Sequence, residues 1–281
     1  MDIETHLSNF SLYLKRNNKS KSTIIAYLKD IDQLAKTNSN KGIAQFSTED
    51  IKYALDYLRN QFNLSTKTIS RKLNAIRTFY KCLLEKKIIP ANPSLSISHP
   101  KFRAKKPRIL SKTEYLALRE TCRSNKRLYK IIEVLLQTGI RIGELSRLKV
   151  KHCVLDNSKG HLFIEAFSSN HERVVPLNSK IFNELKEYIG SYNQKEKGGA
   201  PLFSTKGGKH IEIRNIRNSI DRALIKAKIK NVCVNDLRNT FIVNQLANGM
   251  SLSKLAEIVG HKNINTTTRY LYLLTKKYNP N

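Results

Sequence analysis

Arg141, Arg238, His261 and Tyr270 carry the chemistry that this chain of 281 residues could perform. Each sits in a short motif: Thr138-Gly139-Ile140-Arg141-Ile142-Gly143-Glu144-Leu145, Asp236-Leu237-Arg238, Val259-Gly260-His261 and Thr266-Thr267-Thr268-Arg269-Tyr270. Cutting a phosphodiester by transesterification needs a nucleophile, donors for charge growing on the non-bridging oxygens, and an acid for the leaving oxygen. Arginine suits the second role, because its planar fork meets phosphate oxygens bidentately and stays charged. A histidine adds a further donor. A tyrosine is a poor nucleophile at its free pKa of ~10, and neighbouring cations stabilise both its phenolate and the charged transition state. A covalent phosphotyrosyl bond would retain the energy of the broken one, so rejoining would need neither ATP nor metal, and no cofactor is expected.

Every one of these residues also has a plainer reading. Arg141 could be a surface arginine, although Glu144, one helical turn on, is placed to support it. Glu144 could equally be a plain surface acid. Arg238 could bridge to Asp236, but two positions apart they face different sides of a helix. His261 after Gly260 could simply satisfy a helix C-terminal dipole. Tyr270 could be a core tyrosine, and Tyr272 and Tyr278 are rival nucleophiles. Asn235 could bind a phosphate or act as the N-cap of a helix beginning at Asp236. The stretch Ser251 to Gly260, after Gly249, also suits half of a helix-turn-helix, the device of a repressor.

The charge narrows the partner. Lys plus Arg number 51 against 22 Asp plus Glu, a formal net charge of +29. That balance favours polyanions, because each neutralised phosphate releases counterions. Residues 1–100 carry 16 basic and 8 acidic side chains, net +8, and residues 101–281 carry 35 and 14, net +21. The stronger grip on nucleic acid is therefore expected in the C-terminal part. Charge alone also suits a ribosome-associated or RNA-binding protein, but the 12 Tyr and 10 Phe form no single-strand stacking motif. Cysteines at 82, 122, 153 and 233 have neither metal nor disulfide spacing, which fits a reducing cytosol. The acidic N-terminus does not resemble a signal peptide, and no apolar run reaches membrane length, so a cytoplasmic location is expected.

The elements that must position these residues follow from periodicity. The first hundred residues read as helices. Ile24, Ile25, Tyr27, Leu28, Ile31 and Leu34 form one apolar stripe after Ser22-Thr23. Ser47-Thr48-Glu49-Asp50 caps a helix with Ile51, Ala54, Leu55 and Leu58 inward. Ser65 opens a third, with Ile69, Leu73, Ile76, Tyr80 and Leu83 inward and Lys67, Arg71, Asn74 and Thr78 opposite. That opposite face is either solvated or laid against duplex DNA through Lys67 and Arg71.

Prolines at 90, 93, 100 and 107 and a basic run preclude one continuous helix, so a linker is expected over 96–107. Its Lys105 and Lys106 could track the phosphate backbone. Ser111-Lys112-Thr113-Glu114 is a capping box opening a second domain, 108–281, after a helical one at 1–95. Strands are expected at Leu148-Lys149-Val150, 161–166 and 172–176, the last two as a hairpin across Ser168-Ser169-Asn170. Helices are expected through Leu128 to Gln137, broken by Gly139, and at 179–189, 213–227, 236–247 and 252–259.

The four motifs, in this order and spacing, resemble those of the tyrosine site-specific recombinases, the phage-integrase family. Arg141 and Glu144 match the first-arginine box, and Asp236-Leu237-Arg238 the His-x-x-Arg box. Val259-Gly260-His261 matches the Leu-Gly-His box, and Thr266 to Tyr270 the nucleophile segment. The resemblance implies a mainly α fold: a helical core-binding domain, then a mixed α/β catalytic domain with a small antiparallel sheet. It implies catalysis by Arg141, Asn235, Arg238, His261 and Tyr270 on double-stranded DNA with inverted-repeat core sites, through a 3′-phosphotyrosyl intermediate and a four-way junction. It also implies a homotetramer in the synapse. The compact size looks like chromosome-dimer (Xer-type) or transposon cointegrate resolvases, and the family histidine and lysine missing here favour resolving or integrating a mobile element. Two positions depart from the pattern. The box histidine falls on Asn235, and the hairpin lysine that should protonate the leaving 5′ oxygen falls on Ser168, with His171 or Lys159 as substitutes. A DNA-binding protein of the same fold without catalysis, and a relaxing topoisomerase, are the alternatives.

Overall fold

A computed structural model describes residues 2–101, 107–156, 159–167, 170–190 and 198–278, with side chains to 274. Lys105, Lys106 and Ser168 lie outside the described residues. Contacts divide the chain into two compact units, residues 1–105 and 106–281.

The first unit holds α1 (Ile3–Arg16), α2 (Lys21–Ala35), α3 (Thr48–Gln61) and α4 (Thr66–Glu85). Serine side chains cap three of them: Ser20 accepts from the Thr23 amide at 3.2 Å and Ser65 from that of Thr68 at 3.2 Å. Ser47 and Asp50 form a reciprocal capping box. Phe10, Leu14, Ile31, Leu34, Ile51, Leu73, Ile76, Phe79 and Tyr80 form the core. Ile25 departs from expectation: it is 59% exposed, because Ile24 already occupies the inward position and adjacent residues sit about 100° apart on a helix. Lys67, Arg71 and Asn74 share an exposed face of α4, with Thr78 half-buried beside them. Arg71 is also engaged, forking onto Asp30 of α2, where Lys72 joins it at 2.9 Å.

The second unit begins with α5 (Lys112–Cys122), α6 (Lys126–Thr138) and α7 (Ile142–Arg147). A three-stranded antiparallel sheet follows, β1 (Cys153–Asp156), β2 (Lys159–Ile164) and β3 (Arg173–Pro176), in the order β1-β2-β3. Leu162 pairs with Cys153 on one side and Val175 on the other. Then come α8 (Ser179–Gly190), α9 (Ile213–Lys226), α10 (Val234–Ala247), α11 (Leu252–Val259), α12 (Asn265–Thr268) and α13 (Leu271–Tyr278). The fold is mainly helical with one small sheet.

Expected boundaries move: the strand expected at 161–166 runs instead as Lys159–Ile164. Leu148-Lys149-Val150 is not a strand. The chain curls into a 3₁₀ turn at Val150–His152, fixed by the Lys149 amide donating to His152 Nδ1 at 3.2 Å, and the strand starts at Cys153. Lys149 makes only an isolated bridge to Pro201. Helix α10 starts at Val234, with Cys233 as its N-cap and the Asp236 carboxylate accepting the Cys233 amide at 2.8 Å. Asn235 is therefore inside the first turn and is not the cap.

α6 and α10 pack together. Gly139 ends α6 at φ 63°, and a Cβ there would overlap the Phe241 ring of α10. This tight turn releases the chain toward Arg141. Among the described residues no helix is long and apolar enough to cross a membrane.

Candidate active site

The C-terminus of α11 organises the site. A helix leaves its last carbonyls without intrahelical partners, and the macrodipole makes that end attractive to cations. Here three arginines from three other elements take three successive carbonyls. Arg173 of β3 donates from Nε to Ile258 at 2.8 Å. Arg238 of α10 donates to Val259 at 2.6 Å and to the Gly139 carbonyl at 2.5 Å. Arg141, at the start of α7, donates to Gly260 at 2.8 Å. Gly260 is required at this point: its φ is 68°, and a Cβ would lie 3.0 Å from the Arg173 guanidinium carbon. The His261 amide closes the helix end onto Ala256 at 2.9 Å.

Glu144 neutralises part of this charge. Its carboxylate, 3% exposed, accepts a fork from Arg173 at 2.9 and 2.8 Å, the Arg141 side chain at 2.9 Å and the Arg141 amide at 2.8 Å. Burial alone would raise its pKa, but the Arg173 and Arg141 bonds hold it at about 2. One carboxylate does not offset three guanidinium groups. Burial and then the charge of Arg141 bring the Arg238 pKa down to about 9. Burial and the same arginines bring His261 down to about 4, so it is neutral near pH 7 and donates as imidazole.

His261 and Tyr270 are neighbours. Their rings are nearly parallel, 13° apart with centroids separated by 6.3 Å. His261 Nδ1 lies 2.8 Å from the buried Thr267 hydroxyl. The half-buried Tyr270 donates from its hydroxyl to Asn239 Oδ1 at 2.8 Å. Burial raises the Tyr270 pKa, while Arg238 and Arg269 oppose that rise.

The structure thus gathers Arg141, Glu144, Arg238, His261 and Tyr270 in one cluster, reached from α7, α10, the end of α11 and the turn before α13. Asn235 is exposed in the first turn of α10, and His171 is exposed two residues before Arg173. Among the described residues, no hydrogen bond joins either to the cluster. Lys159 is exposed at the β1–β2 turn, in register with Asp156. Tyr272 is half-buried on α13, and the Tyr278 side chain lies outside the described residues. Sequence reasoning missed Arg173, Thr267 and Asn239. Arg173 left a signal: it alternates with Val175, which is buried, so both face inward.

This fold and constellation have relatives. Residues 108–277 match the model of the phage integrase family, and residues 7–89 match the phage integrase N-terminal SAM-like domain. The chain belongs to the phage integrase family and is a tyrosine site-specific recombinase of the Xer type. It is 31% identical over 279 residues to tyrosine recombinase XerD of Staphylococcus saprophyticus, covering 92% of each chain. It is 30% identical over 279 residues to tyrosine recombinase XerC of Pelobacter propionicus, covering 94% of this chain and 89% of that one. Among solved structures, XerA recombinase is 26% identical with a TM-score of 0.54 over 100% of both chains. A lambda integrase dimer bound to a COC′ core site shares the fold, with 15% identity, a TM-score of 0.77, and 95% and 97% of the two chains covered.

Proposed function

We propose that Tyr270 is the nucleophile of this recombinase and that Arg141, Arg238 and His261 hold the scissile phosphate, with Glu144 and Arg173 fixing the arginines. The enzyme performs site-specific DNA recombination. What carries the assignment is the excess of guanidinium charge over carboxylate beside the Tyr270 ring. A phosphate anion supplies the missing negative charge. It would replace the weak carbonyl acceptors of Arg141 and Arg238 with charge-assisted bonds. Neutral His261 adds a donor, and Arg238 opposes the rise that burial gives the Tyr270 pKa.

In the proposed sequence Tyr270 gives up its phenol proton to solvent, its oxygen attacks phosphorus, the bond to the 5′ oxygen breaks, and that oxygen takes a proton and leaves as a hydroxyl. The 3′-phosphotyrosyl bond conserves the phosphoester, and the 5′ hydroxyl of a partner strand reverses the step to form a four-way junction. No metal ion takes part. His171 and Lys159, both on the β1–β3 sheet region, are the proposed sources of the leaving-group proton, and Asn235 a phosphate ligand that cannot transfer one. Loss of general acid assistance costs ~10²–10⁴-fold, so cleavage slower than a lysine-bearing relative is expected.

The proposed substrate is a pair of duplex sites with inverted-repeat arms, joined by a tetramer of this chain, with the residue 1–95 domain, Lys67, Arg71 and linker residues Lys105 and Lys106 on the backbone. A role in resolving or integrating a mobile element is the reading favoured by Asn235 and Ser168 standing where the family's histidine and lysine are expected. A suicide duplex carrying a nick tests the central assignment. Wild-type protein is expected to trap a covalent adduct that Tyr270→Phe abolishes and Tyr272→Phe preserves. An adduct that survives Tyr270→Phe would refute it.

A further inference from the structure

We infer that Asn239 holds the Tyr270 hydroxyl by its hydrogen, leaving the oxygen lone pairs free for the phosphate, and so acts as a positioning residue for strand cleavage. The inference rests on Tyr270 being the nucleophile.

The orientation of the Asn239 carboxamide is fixed by what surrounds it. Its nitrogen donates to Asp236 Oδ1 at 2.9 Å and to the Arg108 carbonyl at 3.4 Å. Both partners can only accept, so that end must be the NH₂ group. The other end, Oδ1, is an acceptor only, and it lies 2.8 Å from Tyr270 Oη. The tyrosine must therefore be the donor. Asp236 is itself anchored, through its other oxygen, by the Cys233 amide at 2.8 Å. A chain of fixed bonds runs from the α10 N-cap through Asp236 and Asn239 to the phenol.

A carboxamide oxygen cannot take the proton it receives. It stabilises the neutral phenol and fixes the torsion of its O–H bond. Two other sets of groups face the same hydroxyl or ring. Arg238 on α10 and Arg269 beside Tyr270 favour the phenolate; Asp236 on α10 and Tyr272 on α13 oppose it. His261, at the end of α11, lies parallel to the ring. Asn239 thus works against the cations: it keeps the Tyr270 hydroxyl aligned and protonated in the free enzyme. The helix explains the economy of the device. Asp236 and Asn239 are one turn apart, and Arg238 adjoins Asn239, so the first turns of α10 serve phosphate and nucleophile together.

The test is single-turnover adduct formation on the nicked suicide duplex, measured against pH for wild type, Asn239→Ala, Asn239→Asp and Tyr270→Phe, with DNA affinity measured by gel shift. Asn239→Ala removes a bond to the neutral phenol, so the apparent pKa of its alkaline limb should fall. Misalignment should also lower its plateau rate by about tenfold or more. Asn239→Asp places a carboxylate at the hydroxyl, so its apparent pKa should rise. Affinity for DNA should match wild type in both. Unchanged rates and profiles in Asn239→Ala, or shifts of both variants in one direction, would overturn the inference while leaving the nucleophile in place. So would a loss of adduct that merely tracks lost DNA affinity. Failure of wild type to form a Tyr270-dependent adduct would instead overturn the assignment on which it rests.

Discussion

Among the described residues of the second unit two glutamates are buried, each drawing two cations, and they do different work. Glu133 on α6 is 0% exposed and pairs with Arg119 and Lys180, each at 2.7 Å. Glu144 on α7 pairs with Arg141 and Arg173 at 2.9 and 2.8 Å. Around Glu133 both cations bond the carboxylate directly. Burial alone would lower the Lys180 pKa, but its bond to Glu133 raises it. Around Glu144 a third guanidinium, Arg238, has only carbonyl oxygens as acceptors. The effect on neighbours is opposite in sign: burial and adjacent arginines lower Arg238 and His261. A buried carboxylate that bonds each cation beside it is a structural tie, and one that leaves a neighbouring guanidinium with carbonyl acceptors alone is half of an anion site. The lesson is that a buried cation left without a carboxylate partner, rather than the presence of a buried ion pair, marks function.

That contrast can be broken in order of effect. Removing the surplus cation should be most costly to chemistry. Arg238→Ala is expected to slow adduct formation by about 10²–10³-fold, the loss typical of one transition-state donor, while the fold survives. Full activity in Arg238→Ala would erase the distinction between the two glutamates.

Removing the carboxylates comes next. Glu144→Gln leaves Arg141 and Arg173 without their anion and should lower unfolding stability by roughly 3–5 kcal/mol in urea titrations. The pH dependence sharpens this. The Glu144 pKa is depressed in the folded chain, from 4.5 to about 2, so its contribution is complete above pH 4.5 and fades as pH falls toward 2. That shift corresponds to on the order of 3 kcal/mol, and Glu144→Gln should lack this part of the acid loss. Glu133→Gln should destabilise the unit similarly. At temperatures where it is folded, however, its cleavage rate should match wild type within about twofold, as for independent sites. A large rate defect in folded Glu133→Gln would contradict the comparison.

The smallest effect is expected in the first unit. Lys67→Ala should weaken DNA binding uniformly across sequences and reduce the slope of log affinity against log salt by about 1. No change in slope would remove Lys67 from the proposed DNA contacts.

Much of this was legible in the sequence because local rules and tertiary packing agree. The caps at Ser47, Ser65 and Ser111 hold, as do the inward residues of α3 and α4. Ile25 and the 148–150 run misled because apolar residues at short range do not say which of two neighbours faces inward, or where a turn intervenes. In the site, Arg141 and Glu144 could be paired from spacing alone, since they are one turn apart. Arg173 could not be tied to them: its partners Glu144 and Ile258 lie 29 and 85 residues away. Asn239 was hidden for a related reason. Its acceptor role exists only because Asp236 fixes its amide and Tyr270 arrives 31 residues later.

The most direct measurement is to digest the trapped protein–DNA adduct and identify the linked peptide and the DNA end by mass spectrometry. The account predicts a peptide containing Tyr270 joined to a 3′ phosphate, with a free 5′ hydroxyl on the departing strand. A linkage through Tyr272, Tyr278 or any other side chain, or to a 5′ phosphate, would contradict it.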